Sequence, residues 1–220
     1  MKFNIIKSLI DIVYPRRCPY CNDIIDKNLL CCYKCSKDIK TCINVREISI
    51  RNSNSKVICI SPLKYEGKVI EAFHRFKFRG YKSYAKEFAA RITKSFVDYF
   101  PNYQLDFITS VPLSRRRKLE RGYNQSELIS KYLARELEVS YKNLLVKVKN
   151  NKTQHNLNHD ERIENVKGAY LAKNLDIING SNILLCDDVI TTGNTLAECC
   201  KVLLDANAKS VVCVTFANVE

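Results

Sequence analysis

The chain has 220 residues, enough to bury one full core and carry a small appendage. Hydrophobic residues make up 46% and charged residues 27%, which are ordinary globular values, and nothing in the chain is an unbroken apolar run long enough to span a membrane. The formal charge of +13 is not ordinary, and it is uneven: +6 over residues 1–60, +7 over 61–130 and zero over 131–220. A basic front half attracts polyanions such as nucleic acid or an acidic membrane surface, although a Lys-rich solubilising surface would carry the same charge.

Residues 2–14 place Phe3, Ile5, Ile6, Leu9, Ile10, Ile12 and Val13 at helical spacing, interrupted by Lys7 and Asp11. This pattern predicts an amphipathic helix packed on its own protein, in preference to a membrane anchor or a secretory leader. With no targeting signal visible, the expected location is the cytoplasm. Six of the eleven cysteines then crowd between Cys18 and Cys42. In a reducing compartment such a cluster suits a metal better than disulfides. Cys18 and Cys21 form one CxxC and Cys32 and Cys35 a second, ten residues on. Two such knuckles complete a closed structural Zn²⁺ site with no open position for catalysis. A redox CxxC pair or buried free thiols remain the other readings; Cys31 is spare, and Cys42 lacks a partner at useful spacing.

Residues 46–56 are polar, and Asn52, Ser53, Asn54 and Ser55 within them predict a linker or hairpin loop, dividing the chain into residues 1–50 and 57–220. A strand is expected over 57–63 and a helical stretch from Gly67. The phrase HRFKFRGY, residues 74–81, alternates bases with aromatic rings. Rings and cations in alternation suit single-stranded nucleic acid, whereas the same rings on an amphipathic helix suit a core. Lys77 and Arg79 have a third use, reaching a diphosphate. A helix follows over 84–100, ended by Pro101.

Residues 106–111 (DFITSV) predict a buried strand, turned away by Pro112. Arg115, Arg116, Arg117, Lys118 and Arg121 follow at once. Cations just past a buried strand predict a loop at the sheet's carboxyl edge, where α/β folds place ligands. A helix is expected over 126–137, strands over 144–148 and 168–171, and between them a polar loop, 150–160, containing His155 and His159. That pair at i and i+4 is open to a metal or acid–base reading and to plain solvation. No GxGxxG and no Walker A lysine motif occurs, which excludes the common dinucleotide and ATPase signatures.

The most informative stretch is ILLCDDVITTGNT, residues 183–195. A buried strand runs out at two adjacent carboxylates, Asp187 and Asp188. A hydroxyl-rich turn, Thr191, Thr192, Gly193, Asn194 and Thr195, then leads into a helix over 196–204. Unpaired N–H groups at a helix start, with threonine hydroxyls beside them, make a phosphate cradle. The acids would repel a phosphate but suit ribose hydroxyls, a metal ion or a developing positive charge. A sugar phosphate that turns cationic during reaction fits both halves. The stretch resembles the phosphoribosyl pyrophosphate (PRPP) loop of type I phosphoribosyltransferases. A final strand is expected over 211–217.

Taken in order, PRRCPYC, a second CxxC, YEG, KFRG, VPLSRRRKLERGYNQ, TQHNL, ERIENVKGAY and ILLCDDVITTGNT resemble the ComF family of competence-associated bacterial proteins, over essentially the whole chain. The resemblance implies an α/β fold: a type I phosphoribosyltransferase-like, mostly parallel sheet with flanking helices, behind an N-terminal four-cysteine zinc finger. It implies that Asp187 and Asp188 attend the ribose and the transition state, that Thr191 to Thr195 hold the 5′-phosphate, and that Val111, Pro112 and Arg115 occupy the pyrophosphate-loop position with Mg²⁺. It also implies a part in natural transformation, with single-stranded DNA, a DNA-translocating ATPase and other uptake proteins as partners. Two functions are compatible with it: phosphoribosyl transfer to an unidentified acceptor, or a non-catalytic PRPP-sensing or nucleic-acid-binding adaptor.

Overall fold

A computed structural model describes residues 15–51, 53–149 and 166–219. The expected N-terminal helix and the loop with His155 and His159 lie outside the described residues. In chain order the elements are helix α1 (Tyr33–Asp38), strands β1 (Asn44–Ser49), β2 (Lys56–Ser61) and β3 (Leu63–Lys64), and helices α2 (Gly67–Phe78) and α3 (Ala85–Tyr99). Next come β4 (Phe107–Ser110), α4 (Arg115–Arg121), α5 (Gln125–Glu136), β5 (Ser140–Tyr141), β6 (Leu145–Lys147) and β7 (Tyr170–Ala172). The chain closes with α6 (Leu175–Ile178), β8 (Asn182–Ile190), α7 (Asn194–Asp205) and β9 (Ser210–Asn218).

The main sheet runs β1-β2-β9-β8-β4-β5, with β3 also on β9. All of its pairings are parallel except β1 with β2. Central strand β8 alternates its side chains between two layers of core. Leu184 and Cys186 pack with α2, α3 and α5. Ile183 and Leu185 pack with α7 and with residues of β6 and β7. Burial on both faces explains why β8 reads as an apolar run without alternation.

Several expectations are corrected. Residues 144–148 and 168–171 do not join the parallel sheet: β6 and β7 pair antiparallel in a separate ribbon. Strand periodicity names an extended segment but not its partner. The polar stretch from residue 46 begins inside β1, which pairs antiparallel with β2 from Asn44↔Ser61 to Ser49↔Lys56, so the connection between them is the hairpin and not the linker. The basic run is not a loop but helix α4. Ser114 Oγ caps it by accepting from the Arg117 N–H, and Gly122 ends it at φ 73°, a left-handed conformation that glycine adopts without strain. The strand expected over 57–63 is split at Pro62, which has no N–H for the ladder.

The finger packs onto the sheet domain. Cys18, Tyr20 and Cys35 belong to the same core as α2 and α3. Arg75 donates to the carbonyls of Pro19 and Tyr20 at 2.8 and 2.9 Å. Buried Glu87 accepts from Tyr20 Oη at 3.2 Å and from Arg91 Nε at 2.7 Å. Arg91 also donates to Ile39 O at 2.8 Å, at the residue that follows α1. No described helix is long and apolar enough to cross a membrane.

Candidate functional site

Strands β4 and β8 are neighbours, but their onward connections diverge. From β4 the chain passes through α4 and α5 to β5 at one edge; from β8 it passes through α7 to β9 on the other side. The carboxyl ends of β4 and β8 therefore flank a topological switch point, the crevice where open α/β sheets bind ligands. Val111 and Pro112 leave β4 there, with Val111 N–H donating to Cys186 O at 3.0 Å. Asp187 and Asp188 lie in the carboxyl half of β8, and the TTGNT turn leaves the strand after Ile190.

The acid pair is held from several elements. Asn124 caps α5 through its side-chain oxygen, which accepts from Ser126 N–H at 3.1 Å, while its amide donates to Val111 O at 3.0 Å. This clamp positions Ser126, whose hydroxyl donates to Asp187 Oδ1 at 2.9 Å. The same oxygen accepts from the Asp188 N–H at 2.8 Å. Asp188 Oδ1 accepts from Val189 N–H at 2.7 Å, and its Oδ2 lies 3.6 Å from Lys77 Nζ on α2. Burial, and then the neighbouring Asp188 charge, push the Asp187 carboxyl up to about 7. The same Asp188 charge, after burial, raises the Tyr65 phenol.

Gly193 stands at φ 80° as the N-cap of α7, with no side chain to satisfy the helix's first N–H groups. Asn194 Nδ2 is buried without a partner among the described residues. Thr191 is exposed, and its carbonyl accepts from Arg46 on β1; Thr192, Asn194 and Thr195 are half-buried. Positive N–H ends, hydroxyls and a spare amide make this turn an acceptor of anions.

The cations in the field of the acids come from α2, α4 and β6. Arg115 is exposed at the first position of α4, while Arg117 and Arg121, one turn apart, are half-buried. Burial lowers the Arg121 guanidinium and the field of Asp188 opposes that. Lys147, from the β6–β7 ribbon, donates to Tyr170 Oη at 3.2 Å; burial and the Arg117 charge lower its ammonium, and Asp187 opposes them. Lys77, expected to reach a diphosphate, stands beside Asp188, and Arg121 belongs to the expected basic run; sequence reasoning misses Ser126 and Lys147. Of these, Ser126 was legible: Asn124 is a good N-cap, and the residue two places on lies in the first turn beside the strand end.

The four sulfurs of Cys18, Cys21, Cys32 and Cys35 lie within 4.8 Å of one another. A Zn²⁺ ion with about 2.3 Å bonds wants sulfurs about 3.8 Å apart, so the cluster can hold a metal ion with little adjustment. The Cys32 and Cys35 N–H groups donate to the sulfurs of Cys18 and Cys32 at 3.4 and 3.3 Å, contacts that favour thiolates. Cys31 stands apart from the four, its thiol pushed up to about 12 by burial and then by Glu87.

Residues 124–220 match the family model described as "Phosphoribosyl transferase domain". The chain is 37% identical over 134 residues to "Competence protein F" of Haemophilus influenzae, covering 59% of this chain and 58% of that protein. It is 38% identical over 108 residues to "DNA utilization protein YhgH" of Escherichia coli, covering 48% and 46%. It is 31% identical over 141 residues to "Competence protein ComFC" of Bacillus subtilis, covering 64% and 55%. The matched stretches thus span about half the length of these relatives.

Proposed function

We propose that this chain, a member of the ComF family, binds PRPP at the switch point and works in natural transformation, handling single-stranded DNA in the cytoplasm. One observation carries the reading: the acid pair near the carboxyl end of β8 is followed within a few residues by the start of α7, which no side chain caps. The 5′-phosphate lies against the N–H groups and hydroxyls of Thr191, Thr192, Gly193, Asn194 and Thr195. Asp187 and Asp188 take the ribose hydroxyls. The diphosphate faces Val111, Pro112 and the cations of α4, Arg115 included. Breaking the bond at the anomeric carbon builds positive charge on the sugar and negative charge on the leaving diphosphate. Acids on one side and Arg117, Arg121 and Lys147 on the other stabilise both ends. Mg²⁺ arriving with PRPP supplies further neutralisation of the diphosphate.

The competence assignment draws on the names of the relatives in Haemophilus influenzae and Bacillus subtilis. It brings a DNA-translocating ATPase and other uptake proteins as partners, and Zn²⁺ as the finger's structural ion. A second reading, a PRPP-sensing adaptor without turnover, is favoured by Lys77: its ammonium already neutralises an acid that turnover would need as a free charge. Calorimetry with Mg²⁺ and PRPP tests the site. Asp187→Asn with Asp188→Asn is expected to lose binding, and an unchanged affinity overturns the assignment. Pyrophosphate release from PRPP, measured against bases, nucleotides and DNA, separates the enzyme from the adaptor.

A further inference from the structure

The alternating run at the end of α2 is divided by the helix into two faces. Phe73 and Phe76 are buried in the core. His74 and Phe78, four residues apart, share the outer face, and Phe78 is 66% exposed. The His74 ring stands nearly perpendicular to it, 5.6 Å between centroids. Lys77 Nζ lies 5.8 Å from the Phe78 centroid and the Arg121 guanidinium, arriving from α4, lies 5.9 Å away. A large apolar ring left in solvent, approached by cations from two elements, has the composition of a stacking platform. It also adjoins the acid pair, because Lys77 reaches Asp188 and the Phe78 ring at once.

We propose that Phe78, with His74 and Arg121, stacks a base of single-stranded nucleic acid at the mouth of the acid pair. The choice of a strand over a free base follows from charge. Arg79 and Arg115 are exposed beside the platform and on α4, and residues 61–130 carry a +7 excess. A neutral base gives such a field nothing to hold, whereas a strand brings a phosphate for every base. A duplex keeps its base faces stacked inside and offers the ring none. The proposal deepens the function proposed above and rests on it only for the identity of the neighbouring sugar-phosphate subsite.

The chain contains no tryptophan, so Phe78→Trp places a single reporter at the platform. Oligo-dT titrated at low salt is expected to quench its emission saturably, with affinity falling as salt rises. An abasic oligonucleotide of equal length is expected to bind without that quenching. In otherwise wild-type protein, Phe78→Ala is expected to weaken oligo-dT binding about tenfold by anisotropy, as stacking of about 1–3 kcal/mol per base implies. In the reporter protein, Asp187→Asn with Asp188→Asn is expected to remove PRPP binding and leave the quenching. Unchanged emission with oligo-dT, or equal quenching by the abasic strand, overturns the platform whether or not PRPP binds. Stronger quenching by free thymine than by the strand overturns the choice of partner.

Discussion

Asparagine can replace Asp187 while keeping both hydrogen bonds that its Oδ1 accepts, from Ser126 Oγ and from the Asp188 N–H. What it removes is a charge the site disfavours. The folded protein raises the Asp187 carboxyl from 3.8 to about 7, so the native state binds that proton more tightly than the unfolded chain does. The resulting stability is complete below about pH 4 and disappears as pH rises through 7. Asp187→Asn is therefore expected to be more stable than the wild type at pH 8, by up to about 4 kcal/mol, with the gap closing towards pH 4. Thermal unfolding at the two pH values measures this. A related shift belongs to Asp188→Asn, which removes the repelling neighbour and frees Lys77. The Asp187 titration, followed by carboxyl ¹³C NMR, is expected to move to lower pH. Both effects mark a site whose paired acids are held close together at a cost in the unliganded form, as functional carboxylates often are.

At the scale of elements, the turn between β8 and α7 depends on one backbone angle. A Cβ on Gly193 would meet Ile190 and Ile48 no closer than 3.7 Å, so space is not the constraint; φ of 80° is. Gly193→Ala is expected to cost about 1–2 kcal/mol and to weaken PRPP binding, as calorimetry and a melting curve would show. Glu87 poses the opposite problem, since it is buried at 4% exposure between Tyr20 and Arg91. Glu87→Ala leaves the Arg91 charge uncompensated and is expected to cost about 3–5 kcal/mol in denaturant titration. How much of this was legible in the sequence varies by element. The β8 strand, its acids and its turn could be read directly, because an apolar run, a charge pair and a glycine each have one local meaning. The four cysteines could be read from spacing. Strand β1 was obscured because Arg46 and Glu47 stand side by side between Val45 and Ile48 and break the apolar alternation that marks a strand. The partner of β6 was hidden for another reason, since pairing is a long-range choice that periodicity does not encode. Lys77 looked like a diphosphate ligand because nothing in its neighbours reveals the return of α2 over Asp188.

Among the described residues the finger and the sheet share one core and are bolted together. Tyr20, Arg75 and Arg91 cross from one to the other, and Cys18 and Cys35 sit in the shared core. Chelation is expected to lower the melting temperature of the entire protein in one transition, with no separate early step for the finger, when followed by calorimetry with metal content assayed in parallel. Strand β1 carries this connection to the cradle itself, through Arg46 on the Thr191 carbonyl and Ile48 beneath Gly193. A fragment begun at residue 57 would keep every PRPP-loop residue yet lose the brace behind the bend. Such a truncation, though it looks tidy on paper, would hand the experimenter a receptor with a slack grip, and a failed titration on it would say nothing about the intact molecule.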